Sequence, residues 1–531
     1  MSKRTATELV PSAENDGQPF AKASGSRMRR GTAPTDEMGE FEDAWEDEIE
    51  SDEDVIDEQK NDDENGEEFI FSHRGAFVHD EAAMEIDDEV TPAVEDSEEQ
   101  SPPDRVFIPG YHTLGEDEIL EADDSVYLMR HSMGVDYPSL SFDILRDSLG
   151  DERQSFPATS YFVTGAQGET MKKNELRVCK LSSLHKTQKH AESDSEDDDD
   201  DDDEDRLDED PVLEYRSVSH VGGVNRIRAQ PLPPSAPLPP VSQPYHVATW
   251  AETGKVHIWD VRPLIESLDV PGYAGDKDRT QSPVFTINSH GRAEGFALDW
   301  AASGPSSLRL LTGDIHSKIY LTTSTPSGFN ALSQPFTSHT SSVEDIQWSP
   351  SEPTVFASCS ADKTIQVWDV RSKGRRSVAS IEEAHDGDVN VISWNKSTTY
   401  LLLSGGDEGG IKVWDFRNMK KKSMNGPVSM PIASFNWHKA PVTSLEWHPT
   451  EDSMFLASSA DNQVTLWDLA VEQDDDEMGA TDSSGEQNVP PQLLFSHHQQ
   501  NVKEAHWHPQ IPGSVISTGA DGFDVYKTIS V

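Results

Sequence analysis

The chain has 531 residues and carries 43 Lys and Arg against 98 Asp and Glu, a formal charge of −55. A field of that sign repels nucleic acid and anionic membrane and attracts basic proteins. Its two cysteines, Cys179 and Cys359, exclude a disulfide framework or a Cys-rich zinc site, and no apolar run is long enough to span a bilayer.

The N-terminus lacks the apolar core of a secretory signal, so a nuclear or cytosolic protein is expected. From Asp36 to Glu99 the net charge is −27, with too few apolar residues to offset the entropy of ordering. Residues 1–104 are therefore expected to be a disordered acidic region, and Lys3-Arg4 and Arg27–Arg30 suit a nuclear import signal. Next comes Ser125–Met133 (SVYLMRHSM), a short strand ahead of the first repeat. Glu192–Asp210 carries −14 and contains the unbroken run Asp197, Asp198, Asp199, Asp200, Asp201, Asp202 and Asp203, whose mutual repulsion predicts a loop. Within it Ser193 and Ser195 have the acidic context of kinase sites, where phosphate would deepen an existing charge. Pro231–Pro240 reads as an extended surface excursion. A last acidic stretch, Glu472–Glu486, adds −7 inside a loop that runs to Pro491. These three acidic pieces hold −48 of the −55, leaving a nearly balanced chain to fold.

From Leu298 onward one pattern recurs. A tryptophan closes a run of alternating apolar residues at Trp300, Trp348, Trp394, Trp447 and Trp507, at spacings of 48, 46, 53 and 60 residues. Between them lie short strands, a tight turn and a closing Trp-Asp, at residues 368–369, 414–415 and 467–468, with an earlier copy at 259–260. Four strands per period ending in Trp-Asp is the WD40 blade signature, and the acidic loop explains the longest spacing. Units near 136–181, 212–261, 284–323, 336–371, 381–417, 432–470 and 493–529 predict an all-β, seven-bladed propeller over residues 105–531, the first unit being irregular. An open ring would expose an edge strand, so residues 125–133 are expected to serve as the outer strand of the last blade.

His339, Ser358, Asp362 and Trp368 could be mistaken for part of a hydrolase triad. The set recurs in part, which fits a hydrogen-bonded structural tetrad rather than chemistry needed once. His385, Ser404 and Trp414 recur with Glu408 at the turn, and His438, Asp461 and Trp467 recur with Ala457 at the serine position. The third unit ends in Thr322 and the last in Tyr526. No phosphate loop, HExxH or GxSxG appears, so no enzyme, cofactor or metal is expected. The histidines at 497–498 and at 506 and 508 are expected to be hydrogen-bonded or exposed, not ligands. Trp-Asp-x-Arg, ending at Arg262, Arg371 and Arg417, is expected to pair its arginines with neighbouring blade carboxylates; the alternative is contact with a ubiquitin-ligase adaptor through Arg371 and Arg417.

Beyond these motifs the chain resembles the glutamate-rich WD-repeat proteins, whose fungal members are ribosome-assembly chaperones. The resemblance rests on Val106–Gly110 (VFIPG), Leu140–Leu145 (LSFDIL), Glu294–Trp300 (EGFALDW), Ser342–Trp348 (SVEDIQW), Val355–Asp362 (VFASCSAD), Ala384–Trp394 (AHDGDVNVISW) and Thr528–Val531 (TISV). More distantly, the opening strand, the acidic insertion and Pro490–Phe495 (PPQLLF) resemble the retinoblastoma-binding histone chaperones, although the segment Leu114–Asp124 is much shorter than their histone-gripping helix.

The resemblance implies a chaperone for ribosomal protein three of the large subunit, acting in the nucleus and nucleolus and also in the cytoplasm. It would reach pre-ribosomal particles indirectly, without direct nucleic-acid or membrane contact, and act as a monomer. Histones are the alternative client. On the ring, client-binding candidates are Glu344, Asp386, Asp388 and Asp407 on one face. A second set is the side surface of Glu116, Asp117 and Glu118 with Asp474, Asp475, Asp476 and Glu477.

Overall fold

The computed structural model describes residues 120, 122–168, 170, 173–187, 210–233, 236–273, 277–302, 308–418, 429–472 and 489–530. Within them the named strands form seven four-stranded antiparallel sheets, the seven blades of a β-propeller. Strands are lettered a to d from the channel outward. Blade 1 is Ser139–Leu145, Ala158–Ala166, Glu175–Leu184 and Val212–Ser219. Blade 2 is Val224–Ala229, His246–Ala251, Val256–Asp260 and Phe285–Ile287. Blade 3 is Ala297–Trp300, Arg309–Gly313, Ile319–Thr325 and Gly328–Ala331. Blade 4 is Val343–Trp348, Val355–Ser360, Ile365–Asp369 and Ala379–Ile381. Blade 5 is Val389–Trp394, Leu401–Gly406, Ile411–Asp415 and Ala433–Phe435. Blade 6 is Val442–Trp447, Met454–Ser459, Gln463–Asp468 and Leu493–His498.

Blade 7 takes strands a to c from Glu504–Trp507, Ser514–Thr518 and Gly522–Thr528, and its outer strand from Tyr127–Gly134. The pairing runs from Tyr127 opposite Thr528 to Gly134 opposite Gly522, so the expected latch is present. A sequence unit and a blade are offset by one strand: Val212–Ser219 opens the second unit but is the outer strand of blade 1. Each unit thus joins two neighbouring blades covalently.

Apolar alternation on the strands packs blade against blade. Phe356 stacks on Trp368 at 5.7 Å and Phe455 on Trp467 at 5.9 Å. Blade 1 lacks such tryptophans and fills the space with Phe142 and Phe162 against Phe523 of the last blade, which accounts for its irregular sequence. Blades approach closely enough that a Cβ on Gly165 would lie 2.3 Å from Val224 Cβ, and one on Gly405 would lie 2.6 Å from a Val442 methyl. Residues 231–233 and 236–240 stay irregular but do not stand away from the ring. Leu232 and Leu238 pack on a core cluster that includes Tyr245 and Trp259, while Arg146 Nε and Arg262 Nε donate to the carbonyls of Ala236 and Pro239.

Two tiers of side-chain caps close the ring around its channel. In one, a residue one or two places before the end of an inner strand accepts a backbone N–H of the next blade. Asp143 accepts Ala229 N (2.7 Å), Asp299 accepts Trp348 N (2.7 Å), Gln347 accepts Trp394 N (2.8 Å) and Glu446 accepts Trp507 N (3.1 Å). In the other, Ser141 accepts Ile227 N, Asp345 accepts Ile392 N, Ser444 accepts Ala505 N and Glu504 accepts Phe142 N. Each bond of this kind adds about 1 kcal/mol net, and far more is lost if its buried partner is stranded.

Candidate functional site

In blade 4 the four tetrad residues do meet. His339 Nδ1 lies 2.9 Å from Asp362 Oδ2, His339 Nε2 lies 2.7 Å from Ser358 Oγ, and Trp368 Nε1 donates to Ser358 Oγ at 2.8 Å. An ionised carboxylate only accepts, so His339 Nδ1 carries the proton and Nε2 accepts from the Ser358 hydroxyl. That hydroxyl is fully buried and engaged on both sides, which leaves it no approach to a substrate. Burial alone would raise the Asp362 carboxyl, but the bonds to His339, Thr364 and Thr340 outweigh it and hold the group below the carboxylate range.

The apparent losses in the neighbouring blades are replacements. Glu408 reaches His385 Nδ1 at 2.6 Å, so one extra methylene restores the missing Asp contact in blade 5. In blade 6, Thr465 on strand c takes the role that Ala457 vacates, lying 3.0 Å from His438 Nε2 and accepting from Trp467 Nε1 at 2.8 Å. In blade 3, His290 joins Asp314 and Thr312 at 2.7 Å each. In blade 2, His220 and Trp259 share Thr249, with the Gly222 carbonyl in place of an acid. At the latch, His497 meets Tyr127 Oη at 2.8 Å and Asp524 at 3.0 Å, and stacks on Tyr526. His498 is exposed on the opposite side. His508, buried beside Ser160, is pushed down to about 3 by desolvation.

A buried charge cluster binds the last blade to the second. Glu504, with no solvent exposure, pairs with Arg226 at 2.9 Å and Arg228 at 2.7 Å. His506 lies between Glu446 (3.0 Å) and Glu504 (3.5 Å). Desolvation would lower its basicity, but the two carboxylates prevail and raise it to about 10. Burial lifts Asp299 to about 7.

Two rims remain for binding. One is formed by the d–a connections and the b–c turns, and it carries all four ring candidates. Glu344 is the second residue of its inner strand, Asp386 and Asp388 occupy the d–a connection of blade 5, and Asp407 is in its b–c turn. Asp386, Asp388 and Asp407 are exposed; Glu344 is half-buried. Asp407 N donates to the Asp388 carbonyl at 2.9 Å, and Lys363 Nζ reaches the Asp386 carbonyl at 2.5 Å. Burial pushes the Glu344 carboxyl up, and the charge of Asp388 adds to the shift.

The opposite rim is formed by the a–b and c–d connections. The chain enters the latch strand here, because Tyr127 pairs with Thr528 at the end of strand c. The described ends of the c–d connections of blades 1 and 6, at Leu184 and Val212 and at Asp468 and Leu493, lie on the same rim. Blades 6, 7 and 1 are consecutive, so the described ends of these two connections and the start of the latch strand share one sector of the ring. The candidates Glu116, Asp117, Glu118, Asp474, Asp475, Asp476 and Glu477, and the run from Asp197 to Asp203, lie outside the described residues.

Arg371 and Arg417 also occupy this rim, half-exposed at 52% and 54%, each forked onto the aspartate two residues before it, Asp369 and Asp415. The carboxylate partner is therefore the motif's own. Arg262, by contrast, is buried and pairs with Glu266.

Comparison with known proteins places this geometry. A family model for the histone-binding protein RBBP4 and its CAF1-complex counterpart matches residues 117–185, and one described as the EIPR1 beta-propeller matches 300–467. The ribosome assembly protein rrb1 of Schizosaccharomyces pombe is 44% identical over 535 residues, covering 100% of both chains. The glutamate-rich WD repeat-containing protein 1 of Dictyostelium discoideum is 41% identical over 81% of this chain and 86% of its own. The chain belongs to the glutamate-rich WD-repeat family. Histone acetyltransferase type B subunit 2 of Aspergillus oryzae is a more distant relative, 29% identical over 32% of this chain and 34% of its own. Within this family member, the RBBP4-type match covers the latch strand and the first three strands of blade 1.

Sequence reasoning missed Arg226, Arg228 and Glu504, whose partners lie up to 362 residues away, and the ion pairing of His506 with Glu446 and Glu504. The available signal was positional: Arg228 and His506 hold the register filled in other blades by Asp299, Gln347 and Glu446.

Proposed function

We propose that the protein is a non-catalytic chaperone of ribosome assembly, which binds newly made ribosomal protein three of the large subunit, shields it and releases it to nucleolar pre-60S particles. The observation that carries this reading is the full-length relationship to a protein named for ribosome assembly. The physical chemistry is consistent with it. A ribosomal protein without its RNA is strongly cationic, and the −48 held in three segments raises encounter rate and competes with RNA phosphates. The rigid ring supplies selectivity, and nucleus and nucleolus are the compartments this work requires.

A histone chaperone is the second reading, favoured by the RBBP4-type match over 117–185. The ligase-receptor reading is weaker, because Arg371 and Arg417 are held by Asp369 and Asp415. Nuclease-treated affinity purification of the full chain separates these readings. A stoichiometric large-subunit ribosomal protein is the expected partner; histones without it would overturn the proposal. Loss of adaptor recovery on replacing Arg371 and Arg417 together would favour the ligase reading.

A further inference from the structure

The mouth of the central channel on the rim of Glu344 holds a cavity of ≈ 230 Å³ lined by Arg226, Phe296, Glu344, Asn390, Pro441, Val442 and Thr443. The beginnings of the inner strands of blades 2 to 6 build it, so it is a feature of the closed ring and of no single repeat. Its apolar lining residues with any solvent exposure are Phe296 and Pro441.

Its polar groups are biased toward acceptors. Glu344 makes no ion pair among the described residues. Asn390 spends only its amide N–H, on the Val442 carbonyl at 3.4 Å, so its oxygen faces no described donor. The one cation of the lining, Arg226, is turned inward: Nε donates to the Phe296 carbonyl at 3.0 Å and Nη1 to Glu504 at 2.9 Å. The Ser342 hydroxyl and the Arg226 charge ease the Glu344 carboxylate, yet burial and Asp388 outweigh them and leave it under-compensated. A planar cation with several N–H donors suits this set, because its face packs on an aromatic wall while its edge donates to carboxylate and amide oxygens.

We propose that this cavity is a socket for one arginine side chain of the bound client, with Glu344 as its counter-ion, Asn390 as a second acceptor and Phe296 as the surface it lies on. This deepens the chaperone reading and rests on it, since it names the group by which a basic client would be held to the ring.

The probe is a blocked pentapeptide with one central arginine, against the same peptide with citrulline, which keeps the shape and loses the charge. Both are titrated into the full chain at physiological ionic strength by peptide-observed saturation-transfer NMR. The arginine peptide should bind saturably and at least tenfold more tightly than the citrulline peptide. Glu344→Gln and Phe296→Ala should each weaken it several-fold, while Glu451→Gln, exposed in the a–b connection of blade 6 on the opposite rim, should change it less than twofold. Because the diffuse acidic attraction is nearly the same in every variant, only the differences report the socket. Equal binding of the two peptides, or an unchanged affinity in Glu344→Gln with its thermal unfolding intact, would overturn the proposal. Failure of the chaperone reading would show separately, as absence of a stoichiometric basic partner on the wild-type chain.

Discussion

Two groups of carboxylates, one on the inner strands and one at a rim of the ring, have opposite fates. Asp143, Asp299, Asp345, Glu446 and Glu504 face neighbouring blades, accept backbone N–H groups and, in the case of Glu504, two arginines. Glu344, Asp386, Asp388 and Asp407 sit at one rim with no described cation forked onto them. In sequence they look alike; Glu344 and Asp345 are even adjacent. The register shifts at Glu344, between Val343 and Asp345, which leaves Glu344 at the channel mouth while Asp345 caps blade 5. Acidic composition therefore describes attraction, while the face a residue occupies decides whether its carboxyl group caps a neighbouring blade or remains available to a client.

Breaking the buried group should have the largest effect on folding. Glu504→Gln leaves Arg226, Arg228 and His506 without their shared counter-charge, and should cost about 3–5 kcal/mol in urea unfolding. Next come the histidine networks. Ser358→Ala in blade 4 and Thr465→Val in blade 6 should each cost about 1–3 kcal/mol, because each strands a histidine and a tryptophan N–H. If Thr465→Val were silent, the replacement seen in blade 6 would carry no energy.

A smaller effect is expected at Asp299. Its folded pKa of about 7 lies above the ordinary 3.8, so the native state holds a proton that the unfolded chain has already released. The stability this gives is present below the ordinary value and is lost as pH rises through 7. Asp299→Asn retains an acceptor for Trp348 N and should flatten that loss, gaining on the wild type between pH 5 and 8 in thermal unfolding followed across pH. The smallest folding effect belongs to the rim. Reversing Glu344, Asp386, Asp388 and Asp407 together should shift stability by no more than about 0.5 kcal/mol per site, while weakening capture of a basic partner.

The seven-bladed ring was readable because its signals are local and repeated: the tryptophan before each turn, the Trp-Asp ending strand c, and a lone strand ahead of the first unit. The offset between unit and blade was not, since Val212–Ser219 looks the same whichever sheet it joins. Nor were the replacements in the tetrads. Glu408 and Thr465 stand in by reach and by strand register, which a residue-by-residue template misreads as loss. The rim acids could be placed from their positions beside turns, but the cavity next to Glu344 needs five blades to exist, and no single repeat contains it.

The most direct test of the account compares two clients on one chain. Purified full-length protein is titrated with large-subunit ribosomal protein three and, separately, with a core-histone pair, at physiological ionic strength. The account predicts tighter, stoichiometric binding of the ribosomal protein, weakened by reversing Glu344, Asp386, Asp388 and Asp407. Tighter binding of histones, or binding of the ribosomal protein that the rim reversals leave unchanged, would contradict it.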